Sequence, residues 1–257
     1  MTIVIGTSGW QYRHWRPNFY PATLGPAKWF GFYRERFARV EVNNTFYRLP
    51  EQSTFERWRE AAPTGFVFAL KASRYLTHVR RLKDPDQPVA TLMERASVLG
   101  PHLGPILLQL PPNLRCDPGA LDATLSAFGG RVKVAVELRH SSWFVDDVRA
   151  VLERNGSALC LADGGPVEVP LWRTADWSYV RFHKGRGRPQ SCYTRSALDT
   201  WAKRLAARWA RTEDVFCYFN NDGHACALRD ARWLSQACGR HGRPTTRVPP
   251  ANEVKVG

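Results

Sequence analysis

The sequence predicts a (β/α)8 TIM barrel, and two observations carry that expectation. Eight short apolar runs cross the 257-residue chain, at residues 2–6, 39–43, 65–71, 104–110, 132–138, 157–162, 177–183 and 214–220, with helix-like stretches between them. Strand alternating with helix over about 250 residues makes a parallel sheet, and eight repeats close it into a barrel. Most runs also end in polar residues of one parity. One face of each strand is then polar at the C-terminal end, where such barrels keep their chemistry.

Taken in order, each element has a local reason. The first run leads into the aromatic segment Trp10–Tyr20. A helix over 27–38 follows Pro26 and carries Trp29, Phe30, Tyr33 and Phe37 as a core-facing stripe. In the second run Val40 and Val42 take one face while Glu41 and Asn43 take the other. Ser53, with Glu56 three residues on, predicts a capping box at the next helix. Lys71 ends the third run after Val67 and Ala69. A helix over 89–99 precedes the fourth run, where Gln109 opposes Leu108 and Leu110. Asp117 as N-cap and Pro118 at the first helical position open a helix over 118–128. The fifth run sets Val132, Val134, Val136 and Leu138 against Ala135, Glu137 and Arg139. A helix over 144–154 stops at Asn155-Gly156. The seventh run opposes Val180 and Phe182 to Arg181 and His183. A long helix over 196–211 is basic outside, and a last one over 224–238 closes the array. Residues 1–238 form one domain in this reading. Residues 239–257, rich in Pro, Gly and Arg and without period, read as a basic, mobile tail.

At 44% hydrophobic and 23% charged, the composition is that of a soluble globular chain. The net charge of +14 favours polyanionic partners: nucleic acid, phosphorylated small molecules or anionic lipid. A generally Arg-rich proteome is the competing explanation. None of the six cysteines forms a CxxC pair, which argues against a zinc ribbon or redox motif. Cys160 and Cys217 fall inside strand runs and read as buried. No run approaches the roughly 20 apolar residues a membrane span needs, so no membrane partner is expected. Thr2 leads straight into the first strand without a signal peptide, and a reduced, cytoplasmic protein follows as the expectation.

With the apolar parity packed on outer helices, Glu41, Lys71, Gln109, Glu137, Arg139, Arg181 and His183 are expected to converge near one mouth. Burying such charges costs several kcal/mol each unless they pair. They form either an internal ion-pair web or a working site.

The strand ends also carry connected phrases: GTSGW at 6–10, EVNNTFYRLP at 41–50, LKASRYLTH at 70–78, LLQLPPN at 107–113, VELRHSSW at 136–143, YVRFHK at 179–184 and YFNNDGHACA at 218–227. In this order they resemble the YecE-like family, a bacterial and archaeal group of unknown function. The resemblance runs over about residues 2–238 and implies a TIM barrel. That barrel is similar to the endonuclease IV and xylose isomerase-like group, which suggests phosphodiester or sugar chemistry by analogy of fold. One departure is His183-Lys184, where the family usually reads His-Gly.

Four constellations suit chemistry. Glu41, Glu137, His183 and Asp222 offer acids and an imidazole for a divalent cation or for acid–base work. No HxH or HExxH is present, and Lys71, Arg139 and Arg181 compete for the carboxylates, so a metal-free resting site is the favoured reading. The loop after run seven holds Lys184, Arg186 and Arg188, with Gly185 and Gly187 permitting tight turns whose N–H groups face an anion. Within the aromatic set, Tyr12 and Tyr47 are the better ligand contacts. Arg74, His78 and His140, in loops after runs three and five, reach the same mouth. Asn220, Asn221 and Asp222 end run eight; together with Asn43 and Gln109 they offer donors and acceptors to a ligand, or else stabilise turns.

The expected function is therefore binding of a phosphate-bearing ligand at the C-terminal mouth, extending to hydrolysis of a nucleic-acid phosphodiester. Glu41 or Glu137 serves as general base or cation ligand, and His183 gives acid–base help. Lys71, Arg139 and Arg181 stabilise negative charge, and the phosphate sits on Lys184, Arg186 and Arg188. The alternatives are a DNA- or RNA-binding protein without turnover and a sugar-phosphate isomerase or lyase.

Overall fold

A computed structural model describes residues 2–209 and 214–256. Every apolar run becomes a strand: β1 (Ile3–Thr7), β2 (Arg39–Val42), β3 (Val67–Lys71), β4 (Leu103–Gln109), β5 (Val134–Glu137), β6 (Ala158–Asp163), β7 (Ser178–Phe182) and β8 (Val215–Phe219). They close a parallel barrel in chain order. β1 pairs with β8 from Ile3 opposite Val215 to Thr7 opposite Phe219. β4 pairs with β5 from Ile106 opposite Val134 to Gln109 opposite Glu137. Strands covered on both faces need near-continuous apolar sequence, which is why the runs are legible.

Eight helices accompany the strands among the described residues: α1 (Trp29–Arg36), α2 (Asn44–Tyr47), α3 (Gln52–Ala61), α4 (Asp86–Ala96), α5 (Pro118–Phe128), α6 (Asp146–Arg154), α7 (Arg195–Arg208) and α8 (Cys226–Arg240). α5 follows expectation at both ends. Asp117 Oδ1 accepts from the Ala120 N–H at 2.9 Å, and Gly129 in the left-handed region stops the helix. The capping box expected at Ser53 does not form. α3 starts one residue earlier, at Gln52, so Ser53 lies inside the helix, and Gln52 Nε2 bonds Glu56 Oε1 instead, at 2.8 Å. Pro26–Lys28, expected to open the first helix, is a separate 3-10 turn. Of the helix expected over 196–211, residues 210 and 211 lie outside the described residues. No helix joins β6 to β7 among the described residues; there Thr174 Oγ1 accepts from the Leu159 N–H and donates to the Ser157 carbonyl, tying the connection to the start of β6.

The chain divides into two compact units. One holds the residues up to Glu41, Ala162–Gly164 and the chain from Val180 on; the other holds Val42–Leu161 and Gly165–Tyr179. In the first, the aromatic segment is packed rather than open: Tyr20 stacks on Trp29 at 4.9 Å, and Trp15, Phe19 and Tyr20 are buried. In the second, Trp58 of α3 stacks on Phe68 of β3 at 5.8 Å.

Two expectations about the C-terminal part meet a different arrangement. The stretch after residue 239 is not left loose. Ile3 N donates to the Pro244 carbonyl at 2.9 Å, Ile5 N to Thr246 Oγ1 at 2.8 Å, and Arg36 Nε to Glu253 at 2.5 Å. It supplies acceptors to β1, a role that its Pro- and Gly-rich composition does not advertise. The cysteines are not all reduced either. Cys192 and Cys226, 34 residues apart, form a disulfide, while Cys116, Cys160, Cys217 and Cys238 are free thiols. The pairing was hidden because only the fold brings the segment before α7 beside the start of α8.

Candidate functional site

In the first unit β2 carries Glu41 and β7 carries Arg181. Arg181 Nη2 lies 2.8 Å from Glu41 Oε1, and both side chains are buried. A guanidinium meeting a carboxylate at this depth offsets the desolvation of both. Tyr12 donates its hydroxyl to the Ser8 carbonyl at 2.5 Å. Burial, followed by the nearby Asp222 and Glu41 carboxylates, pushes its pKa well above the usual phenol range, so it stays neutral. Gly9, with φ at +115°, makes room for this ring; a Cβ there would meet the Tyr12 hydroxyl at 3.0 Å. Asp222 is engaged with His14, whose Nε2 lies 3.2 Å from Oδ2, and its carbonyl accepts from Trp15 Nε1 at 3.1 Å. At the ends of β7 and β8, Asn220 Nδ2 lies 3.1 Å from His183 Nδ1, which therefore accepts.

The loop after β7 is a compact hairpin, not a backbone cradle. Gly185 N–H donates to the Ser191 carbonyl at 3.0 Å and Gly187 N–H to the Cys192 carbonyl at 2.7 Å. The expected anion nest is thus closed, because both amides already have partners within the loop. Gly185 is required by this packing: a Cβ would stand 2.2 Å from the Cys192 carbonyl oxygen. Asp230, fully buried on α8, anchors the loop by accepting from Tyr193 N–H at 2.7 Å and from Asn221 Nδ2 at 2.8 Å. Burial raises its pKa despite these bonds and the Arg229 guanidinium. The Asn221 amide also donates to the Ser191 carbonyl at 3.0 Å, which makes that residue a brace. What the loop does offer is side chains. Lys184 and Arg186, together with Arg204, Asp163, Tyr193 and Thr194, line a cleft of about 380 Å³. Arg188 is not among the residues that line it; its carbonyl accepts from Arg229 Nη1 at 3.2 Å.

In the second unit the ends of β3, β4 and β5 bring together Lys71, Gln109 and Glu137, all buried, with Gln109 and Glu137 in register. Arg139 Nε bonds Glu137 Oε1 at 2.7 Å. Lys71 Nζ sits 3.8 Å from the centre of the Phe46 ring, a cation–π contact. His78, in the turn Tyr75–Val79, packs edge-on against the same ring at 4.9 Å and shares a 2.9 Å hydrogen bond with Thr77 Oγ1. Partial burial, then the charges of Lys71, Arg139, Arg74 and Arg81, pushes His78 down to about 4. It is neutral at ordinary pH within a field of four cations. Asn43 precedes α2, and its carbonyl accepts from Phe46 N–H at 3.0 Å. Tyr47 is 73% exposed. His140 is committed to a turn, where its Nδ1 accepts from Ser142 N–H at 3.2 Å.

No three His, Cys, Asp or Glu side chains among the described residues are gathered as a metal site. Not legible in the sequence are His14 as the partner of Asp222, Asp230 as the loop anchor, and Arg81 and Arg204 as members of the cationic groups. His14 lies in the aromatic segment Trp10–Tyr20 and Arg81 three residues past LKASRYLTH, while no spacing rule singles out Asp230 or Arg204.

Comparison with known proteins extends over nearly the whole chain. Residues 4–253 match the family described as "Protein of unknown function DUF72". The UPF0759 protein YecE of Escherichia coli K12 is 32% identical over 246 residues, covering 85% of this chain and 86% of its own. The UPF0759 protein YunF of Bacillus subtilis is 26% identical over 265 residues, covering 90% and 93%. Among solved structures, a DUF72 family protein of Thermotoga maritima superposes with a TM-score of 0.78 at 24% identity, covering 92% of this chain and 98% of its own. One from Enterococcus faecalis superposes at 0.72 with 18% identity, covering 93% and 98%. These last two likenesses speak for the barrel.

Proposed function

We propose, for a chain that belongs to the DUF72 family, that the C-terminal ends of its strands bind a phosphate-bearing ligand. The observation that carries this reading is the cation cluster at the ends of β3 and β5: Lys71 Nζ lies 3.8 Å from the Phe46 ring centre, the His78 ring packs on the same phenylalanine, Arg139 reaches Glu137, and Arg74 and Arg81 add their charge at His78. Strand ends of a β/α barrel are where ligands sit. Arg forks and a Lys point charge suit phosphate oxygens, and the Lys184, Arg186 and Arg204 cleft offers the same chemistry in the first unit.

The finer reading is cleavage of a nucleic-acid phosphodiester. Glu137 is occupied by Arg139 at rest. A phosphate that draws the guanidinium toward itself uncovers the Glu137 carboxylate to take a proton from water. The water oxygen bonds the phosphorus as the ester P–O bond breaks, and the departing alkoxide takes that proton back from the Glu137 carboxyl. Arg139 and Lys71 stabilise charge on the phosphoryl oxygens. Glu41 and Arg181 form the corresponding pair in the first unit, and His183 supplies acid–base help.

The test follows the His78 ring by NMR while pH and inorganic phosphate are varied. Millimolar phosphate is expected to move the His78 midpoint up toward the ordinary imidazole range. A midpoint that does not respond would overturn the reading. Glu137→Gln then separates turnover from binding: hydrolysis of a phosphodiester is lost and phosphate binding stays.

A further inference from the structure

We infer that the ligand of this cation cluster is a nucleotide unit whose base stacks on Tyr47, with Tyr75 offering a second platform to single-stranded nucleic acid. The inference rests on the phosphate reading above and adds the side chains on which the bases stack.

The argument starts from how α2 is held. Thr45 donates its hydroxyl to the Lys71 carbonyl at 2.7 Å, fixing this single turn of helix on the end of β3. Phe46 is then buried, with the Lys71 ammonium 3.8 Å from its ring centre and the His78 ring 4.9 Å away, edge-on. Tyr47 meets the other side of this arrangement, edge-on to Phe46 at 5.2 Å. Its ring is tied to the cluster through one buried phenylalanine yet remains 73% exposed. A large apolar ring left in water and held by the ring beside it is a stacking surface that costs little ordering to use. Tyr75 lies three residues before His78 in the same turn and is 51% exposed. It lines a cleft of about 400 Å³ with Leu49, Ser73 and Arg80.

Cations that take phosphates and exposed rings that take planar bases are the two halves of single-strand recognition. A plain sugar phosphate uses the first half and has no flat aromatic group for the second. Tyr47, held through Phe46, and Tyr75, in the turn that carries His78, are the two exposed rings offered to bases.

The test measures binding of inorganic phosphate, ribose 5-phosphate, a ribonucleoside monophosphate and a short single-stranded oligonucleotide. The proteins are the native chain, Tyr47→Ala and Tyr47→Phe. Tyr47 is exposed, so its truncation leaves the fold intact. The nucleotide is expected to bind about tenfold or more tightly than ribose 5-phosphate. Tyr47→Ala should lose roughly 5- to 150-fold for the nucleotide and leave inorganic phosphate unchanged, and Tyr47→Phe should restore the ring and the affinity. Phosphate binding with no effect of Tyr47→Ala overturns this inference alone. No phosphate binding by the native chain overturns the reading it rests on, and this inference with it.

Discussion

Glu41 and Arg181 stand 140 residues apart in the chain and 2.8 Å apart in the fold, and neither side chain reaches solvent. Removing one member of such a pair leaves the other charge buried without this counterion. Glu41→Ala is therefore expected to destabilise the protein by about 3–5 kcal/mol. Glu41→Gln keeps the shape and an acceptor and should cost less. Urea unfolding followed by tryptophan fluorescence checks both, and a loss for Glu41→Ala within about 1 kcal/mol would contradict the assignment.

Arg139 belongs to a different kind of pair, since its side chain is 23% exposed while its partner Glu137 is fully buried. Arg139→Ala should weaken phosphate binding by about tenfold or more, the magnitude of a lost charge-assisted hydrogen bond. Arg139→Lys keeps the charge and loses the fork, so it should recover only part of the affinity. Isothermal titration calorimetry decides between these outcomes.

His78 sets a pH dependence whose sign follows from the direction of its shift. Its folded pKa of about 4 lies below the ordinary imidazole value of 6.5. The unfolded chain thus takes up the proton first as pH falls. Stability from this group is present above about 6.5 and declines as pH falls toward 4. Groups acting on the ring are Lys71 on β3, Arg74 and Arg81 in its own loop region and Arg139 after β5. His78→Gln removes a titrating group and should flatten this part of the stability profile. Phosphate, by favouring the imidazolium, should bind more tightly as pH falls through the same window. Unfolding and binding measured at several pH values test the two statements separately.

The loop after β7 predicts its own weak points. Gly185→Ala forces a Cβ to within 2.2 Å of the Cys192 carbonyl oxygen, so the hairpin must open. Asp230→Ala removes the acceptor of Tyr193 N–H and Asn221 Nδ2, at about 1–3 kcal/mol for each buried donor left unpaired. Both variants should gain a protease cleavage site within residues 184–193. Limited proteolysis followed by mass spectrometry reads this directly, and a loop that stays resistant in both would refute the anchoring role.

Sequence alone determined the barrel, because strand burial and helix periodicity are local properties written at intervals of two and about four residues. The eight runs, the Asp117-Pro118 start of α5 and the parity of Glu41, Glu137 and Arg181 all follow from neighbours a few positions apart. Tertiary structure decided which charge meets which. Arg181 on Glu41, Arg139 on Glu137, Cys192 with Cys226 and the return of residues 244–246 to β1 depend on strand register and on loops meeting in space. The glycine loop shows the limit best. Its composition allows a backbone anion nest, but its amides are used up by carbonyls five and six residues along, and only the folded loop reveals that. Local pattern specifies what a residue can offer; long-range packing specifies whether that offer is already taken.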